Sequence, residues 1–458
     1  MEVLQRTANR GSISTGAYEV SNSTAFDFTR SEYYTRNVSS AGSRTTGTIS
    51  MWIKRGKLGL AQYLFTFGDT DNDNGRTFAR FQSDDTLRIM GGNTTWRNTN
   101  RVFRDTAAWM HIVIAFDTTQ STANNRIKLY VNGVQETSFS TTNNPSQDGT
   151  LGLNYEKHVI GYNSIDNNSP YDGNICEVVI QDGVASAPTE FGEFDSDTGI
   201  WIPIDPSGVT FGTNGCYLNF KDSSNMGLDV SGTTVGNFTG TNINSTDQSE
   251  DTCTNNFSTL NYNTGYLQGT ETSFTAGNVL RQGVANDFNA AVGTQGINPF
   301  VDAKWYFEVE CPATSNGSSI DVGYGWMTES IMISGSHANT DVYSAGTSRY
   351  VSQTAHSGGD IQSVLLEGGT TPVIKFYRND GLIHTATHGS QWTALDEFMF
   401  PYIAVKGSSQ EGIMNFGNPV QDNAVASSNS DPNGYGNFEF DTKSGYALCT
   451  KNLAEFGG

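Results

Sequence analysis

The sequence predicts an all-β chain of two tandem β-sandwiches joined by a polar connector, and three observations carry that expectation. With 50 Gly, 11% aromatic residues and only 16% charged residues, the composition suits many short strands joined by tight turns. Period-two alternation recurs: Ile112, Ile114 and Phe116 alternate with their neighbours, as do Ile127, Leu129 and Val131, so each run reads as a half-buried strand. At 458 residues the chain is long enough for two domains, each burying its own core.

Residues 1–24 are polar and read as a short N-terminal arm. The first sandwich, residues 25–220, opens at Ala25-Phe-Asp-Phe-Thr29 and continues through Gly47-Thr-Ile-Ser-Met-Trp-Ile-Lys54, where Ile49, Met51 and Ile53 share a face. After the strand Trp109–Asp117 comes Arg126-Ile-Lys-Leu-Tyr-Val-Asn-Gly133. Its Asn132-Gly133 pair supplies the positive-φ residues of a type I′ hairpin, with Val134 to Phe139 as the return strand. Ile160-Gly161, Tyr171-Asp-Gly-Asn-Ile-Cys-Glu-Val-Val-Ile180 and Tyr217-Leu-Asn-Phe220 close the domain. From Lys221 to about residue 270 the alternation fades into Asp, Ser, Asn, Gly and Thr, the composition of a connector.

The order of a Trp-x-His strand at Trp109 and His111, a Lys-Leu-Tyr-Val-Asn-Gly hairpin, and Asp172-Gly173 before a closing strand resembles the laminin-G / concanavalin-A-like lectin family. That family consists mainly of binding modules, so the resemblance turns the question to what is bound. His111 at the Trp-x-His position is expected to be structural, packed near Trp109.

The block 271–458 is again strand-rich. Lys304-Trp-Tyr-Phe-Glu-Val-Glu310, Ile320-Asp-Val-Gly-Tyr-Gly-Trp326 and Pro372-Val-Ile-Lys-Phe-Tyr377 are strands, and Asn379-Asp380-Gly381 folds the last back on Leu382 to Thr387. Pro401-Tyr-Ile-Ala-Val405 and Gly412-Ile-Met-Asn-Phe-Gly417 follow. These phrases resemble a SPRY-type sandwich. On the two resemblances, both domains are expected to be concanavalin-A-like jelly-roll sandwiches.

A net charge of −21 argues against nucleic acid, which needs a basic face, and disfavours anionic membranes. The first 60 residues run against this trend, with Arg6, Arg10, Arg30, Arg36, Arg44, Lys54, Arg55 and Lys57; a solvated surface or a docking segment for an acidic partner would both explain them. No apolar run approaches the roughly 20 residues needed to span a bilayer, and Met1-Glu-Val-Leu-Gln-Arg6 lacks the apolar core of a signal peptide. The five cysteines are odd in number and mostly within strand-like runs, which predicts buried, reduced thiols and synthesis in a reducing cytosol.

Connecting phrases extend the resemblance across almost the whole chain. Ser31-Glu-Tyr-Tyr-Thr-Arg36, Val102-Phe-Arg-Asp105, Phe191-Gly-Glu-Phe-Asp195, Thr198-Gly-Ile-Trp-Ile-Pro203, Thr254-Asn-Asn-Phe-Ser-Thr-Leu-Asn261 and Thr442-Lys-Ser-Gly-Tyr-Ala-Leu448 are similar to a lineage of tailed-bacteriophage virion proteins, marine phages especially. The resemblance implies a non-enzymatic fibre, spike or decoration protein, made in the host cytoplasm and placed on the virion surface. Its partners would be other virion subunits and a host-surface glycan or protein; the alternative is a purely structural head or tail decoration. Lacking a long adaptor or repetitive shaft, the chain reads as an accessory appendage. Such appendages are often trimeric, but no heptads here support a homotrimer.

Candidate chemistry is sparse. Glycoside hydrolases need two carboxylates flanking the scissile bond. The nearest phrase, Glu193-Phe-Asp195-Ser-Asp197-Thr198, has Thr where the strand-borne motif needs Glu, so no catalytic residue is assigned and a depolymerase is the weakest reading. Asp69-Thr-Asp71-Asn-Asp73-Asn-Gly75 alternates oxygen ligands like the start of a calcium loop, but an EF-hand would need Glu where Arg80 stands. Laminin-G-like modules can hold calcium at a loop rim, so Ca2+ on Asp69, Asp71 and Asp73 is the one cofactor considered. His384 and His388, four apart on a strand, are too widely separated to share one ion. Trp96, Tyr155, Tyr162 and Tyr171 lie in or beside loop-like stretches where rings could stack on sugars, and are the candidate ligand-binding residues.

Overall fold

In the computed structural model the residues described are 18–38, 42–68, 75–163, 167–261, 273–275, 280–282, 289–310, 321–327, 332–336, 343–344, 348–349, 359–389, 398–406, 411–419 and 425–456. Every strand pairing among them is antiparallel, as hairpin-rich sequences with one buried face require. Besides short 3-10 turns, one α-helix, Thr450–Phe456, interrupts the all-β pattern among these residues. The chain divides between Thr254 and Asn255 into two units.

Two eight-stranded sheets form the body of the first unit, with a two-stranded ribbon of Gly192–Phe194 and Trp201–Pro203 beside them. One runs Val134–Gln135, Ile127–Val131, Met110–Asp117, Thr46–Arg55, Gly173–Asp182, Ser23–Phe26, Gln248–Ser249, with Cys216–Leu218 also on Gly173–Asp182. The other runs Phe139–Thr142, Thr94–Val102, Thr86–Gly91, Arg76–Phe81, Gln62–Gly68, Lys157–Ile160, Tyr33–Asn37, Thr239–Thr241. Their facing side chains make one core: Ile49, Met51, Ile53, Ile112, Ile114 and Phe116 from the first sheet meet Phe65, Phe67, Ile89, Trp96 and Ile160 from the second. The alternation seen in the sequence is therefore the inner face of a sandwich.

The hairpin residues adopt the expected left-handed conformations, Asn132 at φ 49° and Gly133 at φ 77°. The return strand is shorter than expected. Val134–Gln135 pairs with Tyr130 and Val131, and Phe139–Thr142 then joins the opposite sheet against Thr94–Val102.

The domain boundaries need correction. Residues 18–24 are not a free arm: Ser23–Phe26 is a strand between Gly173–Asp182 and Gln248–Ser249. Nor is 221–254 a connector, since Met226 and Phe238 lie in the first core and Thr239–Thr241 adds an edge strand. The polarity of this stretch is consumed locally. Asp222 accepts from the backbone and hydroxyl of Ser224, Asp229 from Tyr217 and Ser231, and Asn244 with Asp247 forms a capping box. Composition alone could not separate such turns from a solvated linker. Residues 255–261 are buried in the second unit.

That second unit is again two sheets. Ser273–Thr275, Leu280–Gln282, Glu411–Asn415, Lys304–Glu310, Ile361–Glu367, Val373–Arg378 and Gly381–Thr387 form one; Asn289–Val292, Phe400–Lys406, Asp321–Met327, Met332–Ser336, Tyr343–Ser344 and Ser348–Arg349 form the other. Trp305, Phe307, Val364 and Phe376 pack against Tyr324, Trp326 and Ile403 between them. Asn379 and Asp380, at φ 44° and 71°, make the second left-handed hairpin turn. The fold is thus two tandem β-sandwiches.

Candidate functional site

The aromatic residues picked out by their loop-like surroundings mostly turn inward. Trp96 is fully buried in the first core, its indole over Gly91, where any Cβ would collide with it. Tyr171 is also in the core, edge-on to Phe26, its hydroxyl donating to the Lys54 carbonyl at 3.0 Å. Neither ring can stack on a sugar, which corrects the expectation for both. Tyr162 is 7% exposed and stacks on Tyr33 at 4.6 Å, so one face is already covered. Tyr155 is half-buried beneath the Arg44 guanidinium at 3.9 Å. The four are not brought together at one site. Asp69, Asp71 and Asp73 lie outside the described residues, and among the described residues no group of three or more His, Cys, Asp or Glu side chains could hold a metal ion.

His111 is buried between Trp52 and Trp201 rather than against Trp109. Trp201 Nε1 donates to its Nδ1 at 3.0 Å, so Nε2 carries the proton toward Ser50 Oγ at 2.7 Å. Burial pushes its pKa down to about 3, fixing it as a neutral structural ring. His384 and His388 have separate aromatic neighbours, Phe376 and Phe300. Glu193 lies in the short strand Gly192–Phe194, and Asp195 accepts from the backbone of Asp197 and Thr198 in the self-satisfied turn that follows.

Among the described residues, an open cleft of the first unit lies mostly in the stretch read as a connector. Ser223, Ser224, Asn225, Met226 and Gly227 form one wall; Gly240, Ile243, Asn244 and Ser245 form the other. Two local devices fix the walls. Asn225 and Leu228 close successive turns on Asp222 and Asn225, and the capped turn Ser245–Asp247 holds the opposite side. Gly240 crosses Tyr34 in register, and a Cβ there would meet Ile243, which keeps the cleft open at its floor. The side chains of Ser223, Asn225 and Ser245 make no hydrogen bond to a described residue, while Met226 is buried beneath them and Ile243 half-buried. The result is a small apolar floor ringed by neutral hydroxyls and an amide, a surface suited to a polyhydroxylated ligand and without a charged group in its lining. Sequence reading missed it because Ser, Asn and Gly signal turns before they signal a site.

Two buried glutamates, one in each unit, are held well above the ordinary carboxyl range. Glu177 Oε2 accepts from the Tyr18 and Tyr217 hydroxyls, each at 2.7 Å. Its Oε1 has no partner and lies beside a narrow gap lined by Trp52, Val179, Phe191 and Pro203. Glu308, in the second unit, is fully served. Tyr306 Oη and the Phe440 amide donate to Oε1, and the Glu439 amide and Asn415 Nδ2 to Oε2. Desolvation raises both carboxyls to about 7.

Residues 28–189 match the laminin G family model described as the concanavalin A-like lectin/glucanases superfamily. That stretch of the first unit is similar to laminin G domains. Solved structures similar to the chain include mouse laminin alpha1 domains LG4-5, at 10% identity and TM-score 0.32, covering 88% of this chain and 89% of that one. A human SPRY domain matches at 15% identity and TM-score 0.22, covering 30% and 90%. The CBM40 of a Ruminococcus gnavus IT-sialidase matches at 12% identity and TM-score 0.25, covering 37% and 95%. No curated protein matches the chain. Beyond the matched residues 28–189, the first unit adds the strands Ser23–Phe26, Thr239–Thr241 and Gln248–Ser249 and most of the cleft lining.

Proposed function

We propose that this protein is a non-enzymatic adhesion component of a tailed-phage particle, sitting on the virion surface and binding a host-surface glycan through the cleft between residues 223–227 and 240–245. The lectin-like fold supports an adhesion role, and the unengaged Ser223, Asn225 and Ser245 side chains over a Met226 and Ile243 floor carry the reading. Neutral donors and acceptors suit hydroxyl groups, and the acidic chain favours uncharged sugars over polyanions. Affinity at one cleft can be weak, because many copies on a particle multiply it through avidity.

The purified full chain, immobilised and tested against host-surface polysaccharides, should bind in a manner that Ser223→Ala with Asn225→Ala weakens roughly tenfold or more, the equivalent of one or two neutral hydrogen bonds. Unchanged binding in the double variant would remove the cleft from the proposal. Antibody labelling of intact particles tests the rest. Label at the exposed surface is expected, whereas a position buried among capsid or tail subunits would replace adhesion with a structural decoration role.

A further inference from the structure

Strand Gly173–Asp182 pairs with Thr46–Arg55 through a bulge: Cys176 faces Trp52 and Val179 faces Ser50, so one side carries an extra residue. Glu177 takes up the excess in a left-handed conformation, φ 50°. Cys176, next to core-facing Ile175 and opposite Trp52, lies on the sheet face away from the core, in a cluster with Trp52, Trp109, Trp201 and Cys253. Cys253 arrives from the last turn of the first unit, and the two sulfurs stand 3.8 Å apart, both fully buried and both free.

The segment bearing Cys253 is held tightly. Asp251 accepts from Lys54 Nζ at 2.7 Å and from Trp109 Nε1 at 2.9 Å, and its carbonyl accepts from Ser23 Oγ at 2.6 Å. Thr254 Oγ1 bonds both the amide and the carbonyl of Val20. These contacts fix Cys253 over Cys176 whether or not a bond joins them. Cys216 lies elsewhere, in the sandwich core, and Cys449 in the second unit.

We propose that Cys176 and Cys253 form a covalent cross-link site, closing to an intramolecular disulfide when the chain meets a disulfide oxidant such as oxidised glutathione. One thiol loses its proton and attacks the glutathione disulfide, forming a mixed disulfide and releasing one glutathione thiolate, which takes up a proton. The second cysteine, deprotonated in turn, attacks the protein sulfur of that mixed disulfide and releases the second glutathione. Two S–H bonds and one S–S bond are broken, one S–S bond and two S–H bonds form, and glutathione is reduced by two electrons. The gap of 3.8 Å must shrink to about 2 Å, the length of the bond. Burial raises the pKa of both thiols, so the exchange proceeds as the segment 248–254 opens or as the chain folds. The closed bond spans 77 residues and ties the end of the first unit to its central strand, where the chain leaves for the second. A protein built in a reducing cytosol would thereby be stapled on reaching an oxidising exterior.

The test unfolds the full chain with reductant and refolds it in glutathione redox buffer or in dithiothreitol. A Cys176–Cys253 linked peptide is expected after the first treatment only, with the first unit's melting temperature raised by roughly 10 °C and the rise reversed by reductant. Cys253→Ala should abolish both the peptide and the rise, while Cys216→Ala keeps both. Free or differently paired Cys176 and Cys253 after oxidative refolding would overturn the proposal. So would a linked peptide without a higher melting temperature, or an oxidant-dependent rise that survives in Cys253→Ala.

Discussion

Glu177 and Glu308 occupy comparable situations, each on an interior strand of its own sandwich and each pushed up to about 7 by desolvation, yet their surroundings differ in kind. Glu308 has four donors divided between its two oxygens, two of them backbone amides of residues 439 and 440. Glu177 has two tyrosine hydroxyls on one oxygen and nothing on the other. The first carboxylate organises a chain segment that would otherwise leave amides unpaired. The second is tolerated because a bulge left it nowhere else to go. Similar pKa displacement therefore does not mean similar dependence of the fold on the group.

The largest separation should come from removing the carboxylate at the organising site. Glu308→Ala leaves the amides of Glu439 and Phe440 without acceptors and opens a cavity, and should cost the second unit about 4 kcal/mol. Denaturant unfolding, with hydrogen exchange assigning each transition to its unit, measures this. A loss below about 1 kcal/mol would mean that water replaces the carboxylate and that the organising role is wrong.

A pH titration of the unmodified protein comes next. An ordinary Glu ionises near 4.5, while both folded groups hold their proton until about 7. Below 4.5 neither state favours ionisation over the other. Between 4.5 and 7 unfolding releases a proton from each glutamate, so its contribution to stability falls as pH rises, and above 7 the fall stops. The glutamate contribution should amount to about 3 kcal/mol over that window, read as the difference between the protein and its Glu→Gln variant, because the buried neutral rings of His111 and His158 make the first unit's own stability rise with pH up to about 6.5. A difference from the Glu→Gln variant that stays constant from pH 5 to 7 would show that the glutamate is ionised when folded.

Much of the architecture was legible in the sequence because it depends on local patterning. Ile112, Ile114 and Phe116, or Ile127, Leu129 and Val131, can bury only one face, and Asn132-Gly133 or Asn379-Asp380 can turn only one way. What stayed hidden depends on contacts distant in sequence. Nothing in Cys176-Glu177-Val178 announces a bulge, since its register is set by Thr46–Arg55 across the sheet. Trp96 and Tyr171 stand in polar surroundings that resemble ligand loops, but their burial comes from the opposite sheet and from Phe26. Residues 221–254 read as a linker because turn-forming residues look alike whether they cross solvent or build a cleft.

The smallest effect gives the sharpest discrimination, because one substitution should act oppositely at the two sites. Glutamine matches the shape of glutamate but replaces one acceptor oxygen with a donor. At position 308 either orientation points the new amide group at two existing donors, so Glu308→Gln should destabilise at every pH. At position 177 the carbonyl can keep both tyrosine hydroxyls while the amide nitrogen occupies the unpartnered side, next to Trp52 and Val179. The variant then carries one unsatisfied neutral group in place of a carboxylate that must ionise in a dry site. Glu177→Gln should fall within about 1 kcal/mol of the parent at pH 5 and exceed it by about 2 kcal/mol at pH 8, the glutamate's downward slope being removed from the first unit's profile. Equal losses at both positions would mean that Oε1 of Glu177 has an acceptor role the unpaired geometry does not show. A preserved pH slope in Glu177→Gln would move the titrating group elsewhere in the first unit, with Asp105 the first alternative, since burial raises its pKa as well.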